Sequence, residues 1–246
     1  AVIGVAPVCA LAGVVAYWDF SPGSRGIGDA SGNGHFLVNN GVTFADGAAV
    51  FNGAHATFNT ASALDLSSYS NITIETYFKS SNTGDNIIFE HGPRWIGQTG
   101  GIISYLGSPT GQLFAGYRAA GEPGFNYDKS SGSVADGRWH HLALTIDLTK
   151  SGSRIAELYV DGWKQLDVDT DSTVTPFLND IFYIGARSDG AAKMHGELDD
   201  LRISDRVLEP WEFLHARTVP PPALIAQWTF HPGDELADSS GNKSRF

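Results

Sequence analysis

Apolar residues recur at every second position in two adjoining runs near the middle of the chain. In the stretch Trp139-His-His-Leu-Ala-Leu-Thr-Ile-Asp147, residues Leu142, Leu144 and Ile146 fall on one face and His141, Ala143 and Thr145 on the other. In the next run Ala156, Leu158 and Val160 alternate with Ile155, Glu157 and Tyr159. A period of two on both sides of a polar Lys-Ser-Gly-Ser break predicts two antiparallel strands joined by a loop. The pair Asp161-Gly162 is a tight turn leading to a third strand over residues 163–168, and this meander is expected in the middle of a sheet.

The same short alternations recur along most of the chain. Strands are expected over residues 14–20, 42–44, 49–51, 56–58, 72–79, 86–90, 101–105 and 112–117, with Ile72, Ile74, Thr76 and Phe78 sharing one face. Two loops stand between them: a Gly-rich one over 91–100 holding Arg94, Trp95 and Gln98, and one over 119–133 holding Phe125, Tyr127 and Asp128. Loops on a sandwich rim are where ligands usually bind. In the late stretch 195–204, alternation puts Leu201 and Ile203 in the core and carries Asp199 inward with them. An inward carboxylate requires a cation, backbone N–H groups or an Arg.

Three stretches share a resemblance. Asp136-Gly-Arg-Trp-His-His-Leu-Ala-Leu-Thr145 with Leu158-Tyr-Val-Asp-Gly162 is the central one. Tyr17-Trp-Asp-Phe with Asp29-Ala-Ser-Gly-Asn-Gly34 opens the chain, and Phe182-Tyr-Ile-Gly-Ala-Arg187 with His195-Gly-Glu-Leu-Asp-Asp-Leu-Arg-Ile-Ser204 closes it. Together these resemble laminin-G-like, concanavalin A-like jelly-roll domains of the bacterial surface-protein type, over roughly residues 14–214. The resemblance implies an all-β fold, an antiparallel β-sandwich of twelve to fourteen strands whose opening and closing strands are neighbours.

The remaining segments divide the chain. Residues 1–13 are an apolar leader that looks like the end of a secretory h-region but lacks a basic n-region, and we read them as a mature segment. Residues 14–217 form the jelly-roll domain and 218–223 a stiff Pro-rich linker. Residues 224–246 repeat the opening: Ala226, Trp228, Phe230, Asp238, Ser240, Gly241 and Asn242 match Ala16, Trp18, Phe20, Asp29, Ser31, Gly32 and Asn33. Such a repeat reads as the start of a second copy of the domain.

Composition narrows the function. A net charge of −11 argues against a nucleic-acid partner, because phosphate binding needs clustered Lys and Arg. A single cysteine, Cys9, excludes an intrachain disulfide and lies in an apolar segment away from any His. No apolar run is long enough to span a bilayer.

Three chemistries follow from the side chains. Asp29, Ser31, Gly32 and Asn33 offer carboxylate, carbonyl and amide oxygens in one turn, and Asp199 and Asp200 come beside them if the last strand pairs with the first. Calcium takes about six to eight such oxygens, and the resemblance adds that many family members hold calcium at a rim. The alternative is that Asp29 and Asn33 make Asx turns and Asp199 is capped by backbone. A glycosidase site is the second chemistry: some concanavalin A-like enzymes carry Glu-x-Asp-x-x-Glu on one strand, and Glu197-Leu-Asp199 supplies two of its positions, but the third is Arg202. His140 and His141 face opposite ways on a strand, which excludes joint metal ligation.

The third chemistry is a sugar platform. Trp95, Tyr105, Phe125, Tyr127 and Trp163 are flat surfaces for sugar rings, and Arg94, Gln98, Asn126, Asp128 and Arg187 are groups able to read hydroxyls. The sequence therefore reads as a non-catalytic, extracellular, cell-surface or periplasmic binding module for carbohydrate, with a structural Ca2+. Its rivals are an assembly subunit that uses residues 224–246 to contact a protein, and a glycoside hydrolase-like enzyme.

Overall fold

A computed structural model describes residues 13–21, 27–53, 57–92, 99–119, 126–150, 155–165 and 174–215. The leader up to residue 12, the linker and the repeat over 224–246 lie outside them. Among the described residues there are seventeen strands: β1 (Val14–Trp18), β2 (Leu37–Asn40), β3 (Thr43–Ala45), β4 (Ala48–Asn52), β5 (Thr57–Thr60), β6 (Leu64–Asp65), β7 (Asn71–Lys79), β8 (Asn86–His91) and β9 (Ile102–Gly107), followed by β10 (Gln112–Tyr117), β11 (Asn126–Ser133), β12 (Trp139–Asp147), β13 (Ala156–Val160), β14 (Trp163–Lys164), β15 (Asn179–Asp180), β16 (Phe182–Ile184) and β17 (His195–Ser204). The expected twelve to fourteen omitted very short pairings such as β6 and β15, each two residues long, while β14 falls at the start of the strand expected over 163–168. A 3-10 turn, Pro210–Glu212, follows the last strand.

The strands form two main antiparallel sheets. One is eight-stranded, in the order β14-β13-β12-β7-β17-β4-β3 with β1 also on β17; the other is seven-stranded, β11-β10-β9-β8-β16-β5-β2. Their inner faces supply one hydrophobic core, the arrangement of a β-sandwich. Trp18 and Phe89 each stack on Phe182, at 5.9 and 5.7 Å between ring centroids. Burying so large an aromatic as Trp18 requires a partner for its N–H, and Nε1 donates to the His35 carbonyl at 2.7 Å.

The opening and closing strands are neighbours, as expected: Ala16 pairs with Ile203, Tyr17 with Arg202 and Trp18 with Leu201. The meander differs from expectation. Its strands β12, β13 and β14 run outward to a sheet edge, and the long strands β7 and β17 occupy the middle. Its turn is as read, with Asp161 and Gly162 both left-handed at φ of 52° and 79°. This geometry suits a two-residue hairpin connection. The Asp161 carboxylate locks it by accepting from the His141 backbone N–H and facing His140 Nδ1, both at 2.8 Å.

Two further readings are corrected. Much of the expected loop 119–133 is the strand β11, paired along β10. Its sequence Asn-Tyr-Asp-Lys-Ser-Ser-Gly-Ser carries no apolar alternation, so the pairing is supplied by its partner and not by its own pattern. Asp199 does not point inward: Leu198 and Leu201 are both fully buried although three positions apart. A bulge at Asp200, which has φ of 52°, shifts the register between Asp199 and Arg202 and turns Asp199 to the outer face.

Candidate functional site: the outer faces of the two sheets

The outer face of the eight-stranded sheet is partly closed by the chain's own descent after β17. Leu208 and Phe213 pack on Ala143 and Tyr159. Beneath them Glu75 is fully buried on β7, and its carboxylate is saturated. Oε1 accepts from Arg202 through Nε at 2.8 Å and through a second guanidinium nitrogen. Oε2 accepts from His141 Nε2 at 3.0 Å and from the Leu214 backbone N–H at 2.7 Å. Burial alone would raise the Glu75 pKa; the His141 hydrogen bond, the Arg202 charge and the Leu214 amide reverse that and hold it below the usual carboxylate range. This cluster is a structural clasp. His140 and His141 indeed face opposite ways, His140 lying between Asp136 and Asp161.

The outer face of the seven-stranded sheet has a different character. Ile102 and Leu106 on β9 and Leu113 and Ala115 on β10 enter the core, so Tyr105 and Phe114 point the other way. These two rings, opposite each other in register, stack at 5.1 Å and 12°. Tyr127 from β11 meets both edge-on, at 5.5 and 6.1 Å. Burial raises the phenol pKa of both tyrosines, whose hydroxyls are hydrogen-bonded to each other. Beside them lies Arg118, buried at the end of β10 with its N–H on the Gly101 carbonyl at 2.9 Å.

Glu90 stands next to this aromatic group. It occupies β8 opposite Ile103 on one side and Tyr183 on the other, and it is fully buried. Oε2 accepts from the Ser188 N–H at 2.5 Å, while Oε1 has no hydrogen-bond partner among the described residues. Burial pushes its pKa up, and Ser188 and Arg187 offset this only in part. Sequence reasoning missed Glu90, Arg118, Phe114 and Tyr183. The available signal was one acid inside the run Ile87-Ile-Phe-Glu-His91, where burial leaves a carboxylate no neutral role.

The expected ligand residues separate into three groups. Tyr105 and Tyr127 come together on this face, and Arg187 lies near Glu90 but is engaged by Asp189 in a two-pronged ion pair, at 2.9 and 2.6 Å. Asp128 is a correction: it sits opposite Ala115, faces inward, is buried, and accepts from the Leu158 N–H at 3.2 Å. Arg94, Trp95, Gln98 and Phe125 lie outside the described residues. Trp163 is 78 % exposed, on the edge strand of the other sheet.

The expected metal residues do not form one cage. Asp29 accepts from the Tyr17 N–H, the Ser31 N–H and hydroxyl, and the His35 N–H, at 3.1, 2.9, 2.6 and 2.9 Å. Three of these donors share Oδ1 and one reaches Oδ2. Asn33 Nδ2 donates to the carbonyls of Val14 and Val15, and Gly32 N–H closes the turn on the Asp29 carbonyl. Asp29, Gly32 and Asn33 thus clamp β1, which is the Asx-turn alternative. Asp199 and Asp200 sit apart from that turn on the β17 bulge, with Asp199 accepting from the Asp200 N–H and Asp200 from the Tyr17 hydroxyl. Desolvation and the adjacent Asp200 charge lift the Asp199 pKa to about 6. Among the described residues, no group of three or more His, Cys, Asp or Glu is placed to hold a metal ion.

Two antiparallel sheets face to face, joined first strand to last, define a lectin-like jelly roll. The chain belongs to the concanavalin A-like lectin/glucanases superfamily, whose laminin-G-like family model matches residues 51–212, more than half of its length. Solved structures agree on the fold. Domain 4 of AbnA, a GH43 extracellular arabinanase from Geobacillus stearothermophilus, in complex with arabinotriose, shares 20 % identity at a TM-score of 0.54 over 80 % of this chain and 94 % of that one. The receptor binding domain of botulinum neurotoxin type G shares 15 % at 0.59, over 84 % and 51 %. The binding domain of botulinum neurotoxin DC in complex with SialylT shares 11 % at 0.60, over 81 % and 49 %. The chain therefore spans about half the length of the toxin domains it matches. No curated protein matches it by sequence.

Proposed function

We propose that this domain is a non-catalytic carbohydrate-binding module of an exported or cell-surface protein, with its site on the outer face of the seven-stranded sheet. The observation that carries the reading is the Tyr105–Phe114–Tyr127 ring group beside the buried charges of Glu90 and Arg118. Sugars are held by flat apolar surfaces next to a few fixed polar groups, and this face offers both. The fold neighbours lend support, since one was solved with arabinotriose and another with SialylT. Against hydrolysis, Glu197 is tied to Lys79 at 2.8 Å, and Arg202, where the enzymes' third acid would stand, is bound to Glu75. A glycan array followed by titration calorimetry tests the reading. Binding that is weakened by Tyr127→Ala supports it, and an array without a single hit defeats it.

We place calcium at Asp199 and Asp200 in this proposal, because the Asp29 carboxylate is engaged by four donors of β1 and its own turn. Support comes from the crowding of acids there, since Asp200 and Asp19 act against ionisation of Asp199 and Asp19 acts against that of Asp200, which a cation would relieve. Melting with calcium and with chelator should then differ by several degrees, as ligand bound to the native state adds stability by mass action; identical curves reject it. A protein contact through residues 224–246 rests on the sequence repeat alone. Light scattering of a chain ending at residue 217 tests that contact: an unchanged mass rejects it.

A further inference from the structure

We propose that Glu90 selects the ligand, its Oε1 accepting a hydroxyl hydrogen from a neutral glycan. This inference rests on the carbohydrate reading above and narrows it. Glu90 is fully buried, and its two oxygens are treated unequally: Oε2 is held by the Ser188 N–H, and Oε1 is held by nothing among the described residues. A buried acceptor left open costs about 1–3 kcal/mol and calls for an explanation, and a donor brought by the ligand is the one proposed here. Glu90 is near enough to Tyr127, Tyr183 and Arg187 for its charge to act on all of them. It therefore belongs to the same outer face as the aromatic group.

The surrounding charges define the class of donor. The field at Arg187 includes Asp85, Glu90 and Asp189, and that at Tyr183 includes Asp180 and Glu90. Arg187 is neutralised by its two-pronged pair with Asp189. A sugar carboxylate at Oε1 meets Glu90 itself and the acids around Arg187, while the Arg118 cation acts at Tyr127, so the balance at Oε1 is repulsive. A neutral sugar hydroxyl meets an acceptor in need of a donor. Oε1 is itself covered, so only a hydroxyl or a water that displaces its neighbours slightly reaches it, and an ordered water is the competing occupant.

The test uses the full 246-residue chain and two sets of probes. The neutral set is arabinotriose, xylotriose, cellotriose and lactose; the acidic set is sialyllactose and digalacturonic acid. The wild type is expected to bind within the neutral set. Glu90→Gln, which keeps an acceptor but loses its charge, should weaken that binding by about 10-fold, and Glu90→Leu, which removes the acceptor, by about 100-fold. Both variants should melt at or above the wild-type temperature, which separates recognition from unfolding. Unchanged affinity in Glu90→Leu means that Oε1 holds water only and overturns the proposal. Binding confined to the acidic set overturns it as well, while leaving the carbohydrate reading in place. Failure of the wild type to bind either set removes both.

Discussion

Glu75 and Glu90 are both fully buried acids on outer sheet faces, and they are treated in opposite ways. Glu75 receives donors on both oxygens from Arg202, His141 and Leu214, and the chain's own descent covers it. Glu90 receives donors from Ser188 alone and keeps Oε1 without a partner among the described residues, and its neighbours are aromatic rings and an Arg paired with Asp189. The difference teaches how to tell a structural charge from a functional one. Burial is common to both; completeness of the hydrogen bonding is not.

The largest expected effect breaks the comparison on the Glu75 side. Glu75→Ala leaves Arg202 buried without its partner and should destabilise the fold by about 3–5 kcal/mol, measured by urea denaturation. A loss under about 1 kcal/mol would show that the clasp contributes little. The same clasp sets an acid limit. Because the Glu75 pKa is depressed, its contribution is complete above the unfolded value near 4.5 and is lost as pH falls through the lower folded value. Wild type should lose stability over that acid range more steeply than Glu75→Ala, and parallel curves would contradict the assignment.

Tyr127→Ala should weaken glycan binding by about tenfold, or roughly 1.4 kcal/mol, in calorimetry. Trp163→Ala, a far more exposed aromatic on the other sheet, should leave binding unchanged; the reverse ranking would move the site. A smaller effect concerns Asp199. Its folded pKa of about 6 lies above the ordinary 3.8, so its favourable contribution is complete below 3.8 and is lost as pH rises through 6. With chelator present, Asp199→Asn should stabilise the protein at pH 7 by about 1 kcal/mol, a figure reduced for the solvent around a half-buried group. It should have no effect below pH 3.8, and equal gains at both pH values would refute the shift. Smallest is the stability effect of Glu90→Gln, expected within about 1 kcal/mol of wild type.

The fold was largely legible because sheets announce themselves through period two: β7, β10, β12 and β13 fall where the alternation puts them. The turn at Asp161-Gly162 was legible for the same local reason, since only a few residue pairs suit two left-handed positions. Features made by partners were not. The polar strand β11 is strand only because β10 lies beside it, and the outward Asp199 depends on one extra residue at the β17 bulge. The site shared this fate. Tyr105 and Tyr127 could be singled out as aromatics, but Glu90, Arg118 and Phe114 joined them only through cross-strand register. No spacing along the chain records that register.

Pairing of β1 with β17 has a mechanical side. Val14 lies opposite Ser204, and the Gly13 carbonyl accepts from the Asp205 N–H at 3.0 Å. Entry and exit therefore share one corner of the sandwich. Tension applied through both flanks pulls that antiparallel pair apart one rung at a time, as a zipper opens, instead of shearing all rungs at once. Before the first rung is loaded, the force must lift Phe213 and Leu214 off the Glu75 clasp. Under such a load, that clasp is the first link to give way.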